Sequence, residues 1–287
     1  MQDDPRQPKA VILCADDFAV HAGASQGIAQ LAAAGRISAT SAMVLSPRWG
    51  QDCTLLQDLR GHLDVGLHLD WTSDFAVAAG HGLKLGAAMR KAVLGGFEPA
   101  AASVVIERQL DAFEAHWKAP PDYVDGHQHV QQFAGIRQAL VQVLHKRYGD
   151  TSVQQPYLRL SRAPKGAADL KAWVIAAMGA SALEKIAGCV GITCATALFG
   201  IYDFAGSTAR YAHLMDHWLH AAMPGSIIMC HPALGAQPDD EIGAARAREH
   251  AYLGSPEFSA ALRKAQVQLI RGSSPDGKLA MAAKIRP

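Results

Sequence analysis

The 287-residue chain lacks the features that mark several common classes of protein. Its five cysteines are scattered and include no CxxC pair, which argues against a disulfide framework and against a cysteine-rich zinc module. Its formal net charge is only +1, so no basic excess suggests a nucleic-acid partner. The polar N-terminal segment MQDDPRQPK has no apolar core of the kind found in secretory signals, and we expect a reducing, cytoplasmic location.

A hydrophobic run long enough to cross a membrane is also missing. The longest uncharged run, residues 186–201, has 16 residues and three glycines, whereas a membrane helix needs roughly 20 apolar residues. We therefore expect no membrane span and predict that this run is buried core. Contact with a membrane or with a lipid-linked substrate is the alternative, although no basic face accompanies the run.

Short apolar runs alternate with amphipathic stretches along the chain. Runs typical of buried parallel strands are AVILC (10–14), ATSAMVL (39–45), LDVGLHLD (63–70), YLRL (157–160), SIIMCH (226–231) and VQLI (267–270), and helical spacing covers 98–117, 134–147, 206–222 and 256–265. The alternation predicts an α/β fold with a parallel sheet, and the length favours a variant (β/α) barrel over an open sheet. We expect one domain, residues 1–287, in which the Gly- and Ala-rich segment 72–100 is an inserted active-site loop with a short helix.

Polar side chains follow four of the predicted strands, where the active sites of parallel α/β folds lie. They are Asp16 and Asp17 after the first strand, His68 in the third, His127 and His129 in VDGHQHV, and His231 in SIIMCH. A single histidine on an apolar strand is usually a hydrogen-bonded core residue, but four such strand ends in one chain favour a shared site. Carboxylate and imidazole groups are ligands for a divalent cation such as Zn²⁺.

The segment YVDGHQHVQQF (123–133) is the densest of these clusters. In an extended strand, Asp125, His127 and His129 would share one face, because alternate side chains point the same way. A solvated surface strand would have the same pattern. The other strand ends favour the metal site over this alternative.

Five motifs together resemble the YdjC-like carbohydrate deacetylase family, which includes chitooligosaccharide and hopanoid-associated deacetylases. They are ADDFAVHAGASQGIAQLAAAGRISATSAMVL, VGLHLD, VDGHQHV, YLRLSR and MCHPA, in this order. The resemblance spans nearly the whole chain. It implies a variant β/α barrel related to the polysaccharide deacetylases, and a metal-dependent hydrolase that removes an N-acetyl group from an amino sugar of an oligosaccharide or glycolipid.

The resemblance also implies roles for individual residues. Asp17, His68 and His127 would hold one divalent metal ion, Mg²⁺ or Zn²⁺. Asp16 would be the general base and His231 the general acid.

Three further residues would support the site. His129 would face the pocket or lie behind a ligand, Asp125 would orient a ligand histidine, and Arg159 would keep Asp16 ionised. The resemblance further implies an N-acetylated sugar as the partner, and it leaves a homodimer as one option for assembly.

The chain departs from the family pattern at two positions. Ala19 replaces the glycine of DDFG, which would strain the backbone if a positive φ is needed there. Gln131 replaces a third histidine and could hydrogen-bond a sugar instead. The LDWTSD segment places Trp71 beside the site, where it is either a platform for sugar stacking or part of the core.

Other functions compete with this interpretation. GASQG (23–27) matches the nucleophile elbow of serine hydrolases, but too few residues precede it for that fold, so we interpret Ser25 as a helix cap. HLMDH (213–217) resembles a metalloprotease motif with Asp in place of Glu, and equally describes a polar or subunit-facing helix. A catalytically silent sugar-binding protein of the same fold is the third alternative, which loss of Asp16 or His231 would have favoured.

Overall fold

A single parallel β-sheet organises the chain, and a computed structural model describes residues 7–149, 154–162 and 170–282, with only the backbone for 170–173. The strands are β1 (Lys9–Phe18), β2 (Ala39–Ala42), β3 (Asp64–Leu69), β4 (Tyr123–Gly126), β5 (Tyr157–Leu158), β6 (Leu198–Phe199), β7 (Ile227–Cys230) and β8 (Val267–Leu269). Their order is β5-β4-β3-β2-β1-β7-β6, and β8 pairs with the beginning of β1. All pairs are parallel, so the predicted α/β fold is confirmed.

The sheet curls into a half-barrel. Between its last strands, β5 and β6, the described residues form an isolated bridge, Leu158 to Cys194, instead of a continuous ladder. The carboxyl ends of the strands therefore surround a space that is open on one side. The residues predicted for the site lie at this edge.

Helices cover the outside of the sheet. The α-helices are α1 (Ala22–Ala33), α2 (Trp49–Asp52), α3 (Asp74–Ala78), α4 (Leu85–Val93), α5 (Pro99–Trp117), α6 (Ile136–Tyr148), α7 (Leu170–Ala177), α8 (Ala180–Cys189), α9 (Thr208–Ala221), α10 (Gly243–Leu253), α11 (Pro256–Lys264) and α12 (Pro275–Ala282), and 3₁₀ helices span Cys53–Leu59 and His127–Gln132. Side chains that accept backbone N–H groups begin several of them, such as Glu98 before α5 and Ser255 before α11. The predicted inserted segment 72–100 contains two helices, α3 and α4.

The two faces of the sheet have separate cores. Along β1, Ile12 and Cys14 face inward with Ile227 and Met229 of β7, while the alternate residues face the helices. Burial on both faces explains why the strands are continuous apolar runs. Gly66 in β3 leaves room for the Tyr123 ring of the neighbouring strand β4, because a Cβ there would lie 2.5 Å from that ring.

Candidate metal and active site

The segment after the apolar part of β1 adopts a backbone that most residues avoid. Asp17 has φ 66° and Ala19 has φ 72°, so alanine occupies a left-handed position that normally favours glycine. Such a residue costs about 1–2 kcal/mol. Hydrogen bonds hold it in place: the Ala19 N–H donates to Ser25 Oγ (3.1 Å), and Ser46 Oγ donates to the Ala19 carbonyl (2.6 Å).

Ser25 therefore has a different role from the predicted one. The N-cap of α1 is His21, whose Nδ1 accepts the Ala24 N–H, so the interpretation of Ser25 as the cap was wrong. Ser25 is fully buried and also donates to Asp52 Oδ2 at 2.5 Å. The Ser25 hydroxyl therefore stabilises the backbone of the Asp17–Ala19 turn.

The turn directs Asp17 towards two histidines. Asp17 Oδ1 lies 3.4 Å from His68 Nε2 and 3.2 Å from His127 Nδ1. In a tetrahedral zinc site with bonds of about 2.05 Å, neighbouring ligand atoms are about 3.3 Å apart, and in an octahedral magnesium site about 3.0 Å. The spacing and the chemistry of this group fit a divalent cation of either kind.

His68 is tied to a buried carboxylate on its other side. Its Nδ1 donates to Asp125 Oδ1 at 2.6 Å, an arrangement that leaves Nε2 facing Asp17. Burial would lower the pKa of His68, but Asp125 and the aspartates of the turn raise it to about 10. In the metal-free site His68 therefore carries a proton that a bound cation would displace.

Asp16 points to the opposite side of the strand end and is paired with Arg159. The guanidinium donates to both oxygens, Nη1 to Oδ1 (2.6 Å) and Nη2 to Oδ2 (2.8 Å), and Nη1 also contacts Asp125 (2.9 Å). Burial would raise the pKa of Asp16, but Arg159, together with His68 and His231, outweighs it and holds that pKa well below its usual value. Cys14, Asp16 and Asp125 also lie close together, but the Arg159 guanidinium already contacts all three residues of this second group.

His231 follows β7 and faces Asp16. Its Nε2 lies 3.9 Å from Asp16 Oδ2, and its Nδ1 has no hydrogen-bond partner among the described residues. Burial lowers the pKa of His231 to about 4, so the imidazole is neutral at pH 7. Its backbone N–H donates to Glu249 Oε2 at 2.5 Å, which fixes the end of the strand.

The segment 127–132 is not an extended strand, and the prediction that Asp125, His127 and His129 share one strand face was wrong. The strand ends at Gly126, and Gln128 and His129 take left-handed conformations (φ 52° and 64°) that form a kink within the 3₁₀ segment His127–Gln132. His127 still reaches Asp17, whereas His129 Nδ1 lies 2.9 Å from Ser161 Oγ. Both histidines line the same cavity.

Gln131 and Trp71 lie in the core. Gln131 is fully buried and donates to the Arg159 carbonyl at 3.0 Å, so it ties the 3₁₀ helix to β5 instead of facing a sugar. Trp71 is 2% exposed and packs against the rings of His81 and Phe97. Neither residue is among those that line the cavity.

The site opens into a cavity of about 1240 Å³ with walls of different character. One wall is acidic and contains Asp239, Asp240 and Glu241. The other is apolar and is formed by Leu85 and Met89 of α4, Phe133, Val174 and Ile175 of α7, Met178, Ile201 and Phe204. The inserted segment 72–100 thus contributes to the cavity through Asp74, Leu85 and Met89.

Two residues of the site, Arg246 and Glu249, were missed in the sequence. Arg246 of α10 donates from Nη2 to Asp17 Oδ2 (2.7 Å) and from Nε to Asp240 Oδ2 (2.6 Å). Glu249, one turn later, accepts from Tyr202 as well as from the His231 N–H. The R-x-x-E spacing in a helix was the available signal, but few apolar residues mark α10 as a helix.

The competing motifs lie elsewhere. His213 and His217 of HLMDH are exposed on α9. Within the described ranges, the groups with metal-ligand spacing are the two at the strand ends, and neither includes a residue of α9.

Comparison with known families agrees with the site. The family model described as YdjC-like protein matches residues 10–264. The chain belongs to the YdjC-like family. The recognition of this family from five motifs is thereby confirmed.

Solved structures similar to this YdjC-like chain establish the fold type. A provisionally assigned cellobiose-phosphate cleavage protein from Enterococcus faecalis V583 has 20% sequence identity and a TM-score of 0.69, covering 92% of this chain and 98% of that one. The Xyl-CE4 domain of a multidomain xylanase from the hindgut metagenome of Trinervitermes trinervoides has 10% identity and a TM-score of 0.50, covering 93% and 89%. The predicted relation to the polysaccharide deacetylase fold is thus confirmed. No curated protein matches the YdjC-like chain significantly.

Among the helices that the structure describes, none combines the length and the apolar character needed to span a bilayer. The run 186–201, predicted as core, includes the end of α8 and strand β6.

Proposed function

We propose that this protein is a metal-dependent hydrolase that removes the N-acetyl group from an amino sugar, in an oligosaccharide or a glycolipid, and releases acetate. The observation that carries the proposal is the pairing of Asp16 and His231, 3.9 Å apart, beside the group formed by Asp17, His68 and His127. A cation-binding group next to a base and an acid provides what amide hydrolysis requires.

Asp17, His68 and His127 would hold the cation. When bound, a divalent ion supplies a Lewis acid for the acetyl carbonyl and lowers the pKa of water. Asp125 keeps the His68 ring oriented, with Nε2 towards Asp17.

The protein residues then handle one proton. Asp16, kept ionised by Arg159, takes this proton from the attacking water. Because the pKa of Asp16 is low, its carboxylate is a weak base, and the transfer depends on a lowered pKa of the water. His231 is neutral in the resting site, so the proton it delivers to the departing nitrogen is the one that Asp16 removed. As the C–N bond breaks, water and amide become acetic acid and a free amine. At neutral pH the acid passes its remaining proton to the amine, which gives acetate and an ammonium group.

The cavity favours a sugar with an apolar neighbour. A volume of about 1240 Å³ exceeds what a single sugar fills, and the wall formed by α4 and α7 offers apolar contacts. This wall supports the glycolipid form of the proposal.

Acetate release tests the proposal. Purified protein is incubated with N,N′-diacetylchitobiose and with a long-chain alkyl N-acetylglucosaminide, before and after chelation, and then with Zn²⁺ or Mg²⁺ added back. We expect release that stops on chelation and returns with metal. If the metal-loaded protein binds these compounds, as measured by calorimetry, but releases no acetate from either, the silent sugar-binding alternative is correct.

A further inference from the structure

Arg246 connects the cavity wall to Asp17. The residue lies in the first turn of α10, its side chain is 5% exposed, and its guanidinium reaches Asp17, 229 positions earlier in the chain. Two nitrogens are used, Nη2 for Asp17 (2.7 Å) and Nε for Asp240 (2.6 Å). A planar guanidinium held at two points has a fixed orientation, which a lysine could not reproduce.

The contact divides the two oxygens of Asp17 between different partners. Oδ1 faces His68 and His127, whereas Oδ2 accepts the hydrogen bond from Arg246. A cation held among these three residues would contact Oδ1, whereas Oδ2 is already engaged in the charge-assisted bond to Arg246. Asp17 therefore presents one oxygen, Oδ1, to the two histidines and to a cation between them.

The contact between Arg246 and Asp17 requires two features that lower the folding stability, which indicates that the contact is specifically maintained. Asp17 has a left-handed backbone, and Arg246 Nη1 is buried without a hydrogen-bond partner among the described residues. Burying such a donor, and holding aspartate in this conformation, both oppose folding. The ion pair with Asp17 offsets these costs only while the guanidinium stays in this position.

Asp240 extends the link to the cavity. Its Oδ2 accepts from Arg246 and lies 3.2 Å from His21 Nε2, while its Oδ1 accepts the Ile242 N–H. Asp240 and Arg246 both line the cavity. The acidic wall and the side chain of Asp17 are thus connected through one guanidinium.

We propose that Arg246, held by Asp240, is a positioning residue that fixes Asp17 as a one-oxygen metal ligand. The inference rests on the proposed function, since it requires the Asp17–His68–His127 group to bind a cation. It assigns the effect of Arg246 to geometry and not to charge. A positive charge near a cation by itself weakens metal binding, whereas positioning strengthens it, so the two roles predict opposite changes.

Metal binding by the whole chain tests this role. Dissociation constants for Zn²⁺ are measured by competition with a chromophoric chelator for the parent, Arg246→Met and Arg246→Lys. Removing a group that orients a ligand typically weakens metal binding about 10–100-fold, and we expect a loss in this range for both variants. Arg147→Met is the control, because Arg147 also bridges carboxylates, Glu107 and Glu114, but away from the cavity; it should bind Zn²⁺ like the parent.

Two further measurements separate positioning from general stability. With Co²⁺ bound, the Arg246 variants should differ from the parent in the intensity of the visible absorption bands, which report ligand geometry. The Arg147→Met control should not differ from the parent. If Arg246→Met fails to fold, as loss of a buried ion-pair partner can cause, Arg246→Lys decides. Unchanged or tighter Zn²⁺ binding in a folded Arg246 variant overturns the inference, whereas no metal binding by the parent refutes the proposed function instead.

Discussion

Replacing Glu249 with glutamine should make the protein more stable at high pH. Glu249 is fully buried, and burial raises its pKa from 4.5 to about 7, although hydrogen bonds from Tyr202 and the His231 N–H act against the shift. Its carboxyl group therefore keeps a proton in the folded protein up to about pH 7. In the unfolded chain it loses the proton near pH 4.5.

The sign and size of the effect follow from this difference. Between these pH values the folded state binds more protons, so stability falls as the pH rises through the interval and stays reduced above it. A shift of about 2.5 pKa units, at about 1.4 kcal/mol per unit, costs the parent about 3 kcal/mol at pH 8 relative to pH 4. Glutamine does not titrate and can keep both hydrogen bonds, accepting from the His231 N–H and donating to the Tyr202 hydroxyl.

Urea unfolding at pH 5, 6, 7 and 8, with a chelator present, measures the effect. The difference in unfolding free energy between Glu249→Gln and the parent should grow in favour of the variant by about 2–3 kcal/mol from pH 5 to pH 8. Comparing the two proteins at each pH cancels the titration of all other groups. A difference that stays constant across this range would show that Glu249 is ionised throughout in the folded protein and would refute the reasoning.

Three other predictions concern the turn and the metal group. Asp16→Asn should bind Zn²⁺ like the parent while acetate release falls about 10²–10⁴-fold, and normal turnover would exclude Asp16 as the base. Because the pKa of His68 is raised to about 10 without metal, Zn²⁺ binding should displace one proton, and the affinity should rise about tenfold per pH unit between pH 6 and 8. Calorimetry in buffers of different ionisation enthalpy detects the displaced proton. Binding that does not depend on pH would contradict this prediction. Ala19→Val should lower the unfolding free energy by at least about 2 kcal/mol, since a β-branched residue fits φ 72° poorly, whereas Ala19→Gly should stay within about 1 kcal/mol of the parent; thermal unfolding distinguishes them.

The strand pattern predicted the architecture, and the family resemblance selected Asp17, His68 and His127, whose ligand atoms the structure places within 4.8 Å of one another. Apolar runs of strand length separated by helices leave few alternatives to a parallel sheet, and in such a sheet the strand ends converge. Residues far apart in sequence could therefore be placed together without knowing any side-chain conformation. The same argument does not extend to residues outside the strands.

The errors have local causes. The shared face predicted for Asp125, His127 and His129 assumed an extended chain, and so did the sugar contact considered for Gln131. The left-handed residues Gln128 and His129 turn the backbone after Gly126 instead. Arg246 was missed because its partner Asp17 is 229 positions earlier in the chain, and the charged, alanine-rich α10 has no clear apolar stripe. Ser25 was assigned to the nearest helix start, although its hydroxyl supports the turn at Ala19. In each case the role of the residue depends on its tertiary contacts. The periodicity of the sequence does not reveal those contacts.

The reacting groups and the apolar wall of the cavity have different structural origins, and this separates two kinds of change. Asp17, His68 and His231 come from strands or their ends, whereas α4 and α7 lie in connections between strands. Exchanging Leu85, Met89 or Val174 would thus alter which molecules are accepted and leave the reacting groups in place. Chimaeras that transplant these connecting helices between members of the family could therefore transfer preference for a substrate without rebuilding the chemistry.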